Sequence, residues 1–207
     1  MDKGLKDDGL LYGMALRDFS SYLTWSPDDE RWQLVCVDVG ASEVKPGSPY
    51  PSEKASHPAD HRSVATGRTV AEYQLVYITK GRGELRIEGI EDPIPIQEGS
   101  VILVLPGVRH AYKPDENTGW NEKWVGFKGN WADSLRREGL LSAKHPVFSI
   151  GLQEGVLGLF DELFAVLSSQ EPLYQVLASS LVMRLIAELL AGSRSAEQED
   201  DAEKACD

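Results

Sequence analysis

The chain has 207 residues, with 21 Lys and Arg against 33 Asp and Glu, a formal net charge of −12. That balance excludes general nucleic-acid binding by this chain, which needs clustered positive charge to displace counterions. Its 42% hydrophobic and 26% charged residues are those of a soluble globular domain, and no apolar run approaches the ~20 residues that cross a membrane.

The first fifteen residues, MDKGLKDDGLLYGMA, do not read as a secretory signal, because no basic stretch precedes the short apolar one. A cytoplasmic location is expected. Cys36 and Cys206 are too few for a disulfide framework, and Cys36 lies within the apolar run Leu34–Val37, as a buried small hydrophobe does. Residues 1–33 form an N-terminal arm. Its Tyr22, Trp25 and Trp32 suggest a lid that could close over a ligand. Leu34 to Val39 reads as a strand. Residues 40–63 are rich in Pro, Ser and Gly and read as a long loop.

Residues 67–129 read as β structure. Val70 to Thr79 is β-branched and aromatic, and Lys80-Gly81-Arg82-Gly83 reads as a turn. Strands are expected at Glu84–Glu88, around Ile94 and Ile96, and at Val101–Leu105, Arg109–Lys113 and Asn121–Phe127. Short strands at this spacing predict an antiparallel sandwich or barrel over 34–130.

Residues 131–192 read as helical. A short helix is expected at Asp133–Glu138. Leu152, Val156, Leu159, Phe160, Leu163, Phe164 and Leu167 then follow helical spacing. A second apolar helix is expected from Pro172 to a stop at Gly192, with Leu173, Leu177, Leu181 and Leu185 on its stripe. Two such stripes predict an antiparallel hairpin, one stripe covering the barrel and the other needing a partner. Residues 193–207 are polar and acidic and read as a disordered tail.

The β region resembles the cupin superfamily, a double-stranded β-helix or jelly-roll barrel. Laid on the general cupin pattern from Gly81, Gln74 takes the metal-binding glutamate position, and the two histidine positions fall near Arg68 and Val70. In the second half Gly99, Gly107 and His110 match, Leu105 replaces the proline, and Pro114 replaces the asparagine. One ligand of four survives, so no metal and no cofactor are expected. His57 and His61 have helical i, i+4 spacing, but Pro58 between them argues against a metal pair.

Three ordered stretches resemble a narrower group, the AraC-type transcription regulators. They are Gly67–Gly83, Gly99–Tyr112 and the aromatic Thr118–Gly129, with Pro46-Gly47-x-x-Tyr50-Pro51 and His57-Pro58 ahead of them. The resemblance covers residues 34–191. It implies a cupin-like barrel that binds a small effector, often a sugar, and a helical pair (152–191) that forms a homodimer. It also implies that DNA is contacted only through a further domain with two helix-turn-helix units. Fifteen residues follow Gly192, too few for one such unit, so that domain is absent from this chain. Either this is an effector-binding fragment or a protein without the DNA reader.

The candidate ligand-binding residues are Arg68, Glu72, Gln74, His110, Tyr112, Trp120, Glu122 and Trp124. Strand alternation puts Arg68, Glu72 and Gln74 on one face, and Trp120, Glu122 and Trp124 on another. Forked Arg donors, carboxylate and amide acceptors and an aromatic platform suit a polyol. The resemblance places Arg68, Tyr112, Glu122 and Trp124 at sugar contacts. Blander roles remain open: an Arg68–Glu72 ion pair, Trp124 as core, Trp120 as an exposed loop aromatic, and His110 as a satisfied rim histidine. The rival function is a metal-free cupin enzyme, an isomerase or epimerase, using His110 with Glu72 or Glu122 as acid and base. The helical hairpin favours the sensor, and no catalytic residue is expected.

Overall fold

The computed structural model describes residues 19–51 and 66–204, with side chains to residue 193. His57, His61, Cys206 and the first eighteen residues of the arm lie outside this range. The described chain is mainly β with C-terminal helices. Its strands are β1 (Phe19–Tyr22), β2 (Val35–Val44), β3 (Tyr73–Ile87), β4 (Ile94–Gln97), β5 (Ser100–Val104), β6 (His110–Pro114), β7 (Trp120–Lys128) and β8 (Val147–Ser149). Its helices are α1 (Pro27–Glu30), α2 (Asn130–Arg137), α3 (Glu154–Ser169) and α4 (Tyr174–Lys204).

All strand pairs are antiparallel, and the main path runs β1-β2-β7-β3-β5-β8. The 15-residue β3 belongs to both walls of the barrel. Its first half pairs with β7 and β5, and its second half with β4 and β6. The stretch Lys80–Gly83, expected as a turn, is therefore the bend inside one strand. The register shifts between Ile78 and Lys80, and Gly81 follows at φ +86°. A Cβ there would lie 2.2 Å from the Gly119 carbonyl oxygen, so only glycine lets the two backbones meet at this corner.

Alternation along the strands builds two cores. Tyr73, Leu75 and Tyr77 of β3, with Val125 and Phe127 of β7, face the helices. Val76 and Ile78, with Trp120 and Trp124, face the barrel interior. Tyr77 illustrates the outer core: its ring stacks on Phe160 of α3 at 6.1 Å, and its hydroxyl donates to the Gly151 carbonyl and accepts from Gln153 N–H. Both helices of the hairpin bury their stripes on this sheet, through Val156, Phe160 and Leu163 of α3 and Val182, Ile186 and Leu189 of α4. The stripe expected to need a partner is thus largely covered. What stays exposed is Leu152, Leu173 and Leu177.

Several boundaries differ from expectation. The first long strand runs on to Val44, because β7 pairs with it along that whole length. Val70 lies before β3 rather than inside it, and its carbonyl accepts from Gly107 N–H. Part of the arm is no lid: β1 pairs with β2, Leu23 enters the core, and Trp25 lies over the Lys128 ammonium at 4.1 Å. Helix α4 passes Gly192 and continues to Lys204, across the segment expected to be disordered. An interior glycine costs a helix only about 1 kcal/mol, and Ala, Glu, Gln and Lys after it are good helix formers. Its stretch Tyr174–Ser193 is, by length and hydropathy, apolar enough to cross a membrane, but its inner side is sealed in the core.

Two polar side chains of α4 fasten it to the sheet. The Gln175 amide accepts from Cys36 N–H and donates to the Cys36 and Thr24 carbonyls, each at 3.0–3.1 Å. Ser179 donates to the Leu34 carbonyl at 2.7 Å. Gln175 acts as one residue of an extra strand beside β2. Gln175→Ala would leave both backbone groups of Cys36 buried without these bonds, and should cost about 2–4 kcal/mol in a urea titration. A loss under about 0.5 kcal/mol would mean that water replaces the amide.

Candidate functional site in the barrel

The barrel interior holds most of the buried polar side chains among the described residues. Asp38, Arg68, Gln74, His110 and Glu122 are all at most 7% exposed. Burying such groups is costly unless they are paired, so their partners inside the barrel decide the arrangement.

Arg68 stands at the centre. It reaches the barrel through an isolated pairing with His110, in which each residue's N–H donates to the other's carbonyl. Its Nε lies 3.3 Å from His110 Nε2. One terminal nitrogen donates to Gln74 Oε1 at 3.0 Å and to the Tyr112 hydroxyl at 3.3 Å. His110 Nδ1 lies 3.0 Å from the Val108 carbonyl. These contacts assign the proton to Nδ1 and leave Nε2 to accept from Arg68. The imidazole also stacks near-parallel on Tyr112, at 6.1 Å.

Two glycines set the opposite wall. Asp38 of β2 faces Gly126 of β7, and Gly40 faces Trp124. A Cβ on Gly126 would meet Asp38 Oδ2 at 2.1 Å, and one on Gly40 would meet Trp124 Cζ2 at 2.2 Å. With both side chains missing, the Trp124 indole lies across β2 and donates to Asp38 Oδ1 at 2.9 Å. Glu122 sits between Trp120 and Trp124 on the same face of β7. It accepts from the Tyr50 hydroxyl at 3.3 and 3.1 Å. Tyr50 meets Trp120 edge-on at 5.6 Å and lies 6.2 Å from Tyr112.

Seven of the eight expected site residues therefore line the interior. Glu72 does not: it is half-buried at the edge, accepting from Ala71 N–H and from the Gln74 amide, which it orients. The assumed common strand for residues 68–74 is not formed, since β3 begins at Tyr73, yet Arg68 and Gln74 still converge. Trp120 is no exposed loop aromatic. It is 1% exposed, and its buried Nε1–H has no hydrogen-bond partner.

Asp38 and Tyr50 were absent from the expected set. In a regular strand Asp38 would share a face with Cys36. The bulge between Cys36 and Asp38 inserts one residue, so Cys36 faces the helices and Asp38 the barrel. A carboxylate between Val37 and Val39 was the available signal. Tyr50 comes from the loop after β2, where periodicity says nothing about direction.

Among the described residues no group of three or more His, Cys, Asp or Glu side chains could hold a metal ion. Among the clefts of the described residues are those of about 360 Å³ beside Tyr73 and Lys128, about 450 Å³ beside Arg82 and Lys113, and about 210 Å³ beside Tyr50 and Lys113. None of them gathers the buried charges and rings that the interior does.

The barrel interior therefore carries polar hydrogen-bonding groups on one wall and aromatic rings on another. Residues 55–186 match the family described as the AraC-like ligand binding domain, and the chain belongs to that family. Over 124 residues it is 29% identical to the MmsAB operon regulatory protein of Pseudomonas aeruginosa, covering 57% of this chain. The chain spans 39% of that relative's length. Among solved structures it is similar to a cupin protein from Bacteroides fragilis (TM-score 0.34, 13% identity, 47% of this chain and 68% of that one). It is also similar to an RmlC-like cupin with a double-stranded β-helix fold from Methanocaldococcus jannaschii (TM-score 0.32, 19% identity, 49% and 76%).

Burial raises the Tyr112 phenol to about 12, with Glu122 and Asp38 adding to the shift and Arg68 opposing it. Burial and Glu122 push Tyr50 well above its usual value. A phenol harder to ionise when folded contributes stability below its unfolded value near 10, and that contribution is lost as pH rises through the folded value. Unfolding free energy should therefore fall between about pH 10 and 12, in step with phenolate absorbance, and Tyr112→Phe should flatten the slope. An unchanged slope in the variant would place Tyr112 in solvent.

Proposed function

We propose that this chain is the effector-sensing and dimerisation part of an AraC-type transcription regulator of carbohydrate use, and that its effector is a mono- or oligosaccharide. The observation carrying the reading is the buried convergence of Arg68, Gln74, Asp38 and Glu122 with Tyr112, Trp120 and Trp124. Each vicinal hydroxyl pair of a sugar offers donors to the carboxylates and acceptors to the guanidinium. The sugar's C–H face suits an indole.

Family membership and the relative, a regulator of an operon, support sensing over catalysis. The hydrogen bonds point the same way. His110 spends Nδ1 on the Val108 carbonyl and Nε2 on Arg68, so neither nitrogen is presented to a substrate as a base. The protein works in the cytoplasm as a homodimer through residues 152–191, and reaches DNA through a domain outside this chain. Exposed Leu173 and Leu177, one turn apart at the head of α4, support that contact. Effector binding shifts the populations of two domain arrangements.

A thermal-melt screen against pentoses, hexoses, uronic acids and oligosaccharides, with and without chelator, tests the effector. A sugar at 100 times its dissociation constant adds about 2.7 kcal/mol. Arg68→Met should weaken that sugar by about tenfold or more, because it removes a charged donor. No shift with any sugar, or a shift abolished by chelator, overturns the reading. Sedimentation tests the dimer: Leu177→Glu should yield monomer, and a wild-type monomer at all concentrations would sink this part.

A further inference from the structure

Tyr50 belongs to no strand. It lies in the loop after β2, where Lys45 to Pro49 are all exposed and Tyr50 alone turns inward. The loop is tethered ahead of it, by Gly47 N–H to the Glu116 carbonyl and Ser48 N–H to the Lys45 carbonyl. At Tyr50 the hold is made by the side chain. Its hydroxyl donates to both oxygens of buried Glu122, and its ring meets Trp120 edge-on and lies tilted beside Tyr112. The phenol therefore fills the space beside the Glu122 carboxylate, Trp120 and Tyr112.

We propose that Tyr50 is the barrel's resident ligand: its phenol donates to Glu122, and an effector binds by supplying its own hydroxyl to Glu122 and displacing the Tyr50 ring. This rests on the effector site being the barrel interior. Three observations converge on it. Glu122 is 7% exposed, so a carboxylate there needs a donor whether or not an effector is present. Tyr50 supplies that donor from a loop, which can leave without unzipping a strand pair. Trp120 Nε1–H is buried and unpartnered, a donor that the phenol leaves unused and that an effector with several hydroxyls could engage.

The consequence is a threshold. An effector competing with Tyr50 binds with its intrinsic affinity reduced by the fraction of barrels from which Tyr50 has withdrawn. Tyr50 thus sets sensitivity, and it ties occupancy of the barrel to the position of loop 45–51. It also selects, since a ligand without a hydroxyl to replace the phenol would forfeit that hydrogen bond to the Glu122 carboxylate.

Two probes test this, each read by thermal melt and calorimetry on the whole chain. The first is p-cresol, the Tyr50 side chain as a free molecule. It should bind saturably to Tyr50→Gly and not to wild type, and Glu122→Gln added to that variant should cut the affinity about fivefold or more. No binding to Tyr50→Gly, or equal binding to the double variant, overturns the proposal. The second is titration of L-arabinose and D-galactose into wild type and Tyr50→Phe, which keeps the ring, and so the fold, but removes the hydroxyl that donates to Glu122. Binding about tenfold tighter in Tyr50→Phe is expected, since the competitor has lost a hydrogen bond to a charged group. Equal or weaker binding would make Tyr50 a structural or direct contact and end the plug reading. If neither sugar binds either protein while p-cresol binds Tyr50→Gly as described, the sugar effector is at fault and the resident-ligand role stands.

Discussion

Strand β3 is the constraint on which the rest of this molecule depends. It is the one strand shared by both walls of the barrel, pairing with β7 and β5 before its bend and with β4 and β6 after it. Its two faces serve two cores. Tyr73, Leu75 and Tyr77 bind the helical layer, while Gln74, Val76 and Ile78 line the barrel. A one-residue slip would exchange those faces, placing Gln74 under the helices and Tyr77 in the site. The glycine corner at Gly81, pressed on Gly119, fixes where the strand turns and so prevents that slip.

The barrel interior follows from the cost of burying charge. One guanidinium and two carboxylates sit in a space otherwise lined by rings and aliphatic side chains. Each charge is met by neighbours from elements distant in sequence. Arg68 is answered by Gln74, His110 and Tyr112, Asp38 by Trp124, and Glu122 by Tyr50. Such a network fixes rotamers and preorganises the groups a ligand would meet.

The helical layer connects this interior to the outside. Gln175 and Ser179 hold the backbone of Leu34 and Cys36, and Asp38 lies just beyond the bulge on the inner face. The same short stretch of β2 therefore touches α4 on one side and the Trp124 platform on the other.

What the sequence determined by itself was what local chemistry encodes. Alternation and turn residues predicted the strands and the barrel. Helical spacing predicted the hairpin, and the motifs around Gly81, Gly107 and Thr118–Gly129 pointed to the family. Gln74, Trp120, Glu122 and Trp124 were legible as inward-facing because polar and aromatic residues at fixed parity in apolar strands must face something, whereas Arg68, His110 and Tyr112 were legible through the resemblance. The tertiary structure decided the rest. Whether Lys80–Gly83 turned or continued depended on Gly119 lying against Gly81. Whether Gly192 stopped a helix depended on a small propensity cost weighed against the helix formers after it. Asp38 faces inward because of a bulge whose extra residue shows only against β7, and Tyr50 because of a loop whose direction has no period. Pairing across long sequence separations is what placed those two side chains, and no property of their immediate neighbours encodes it.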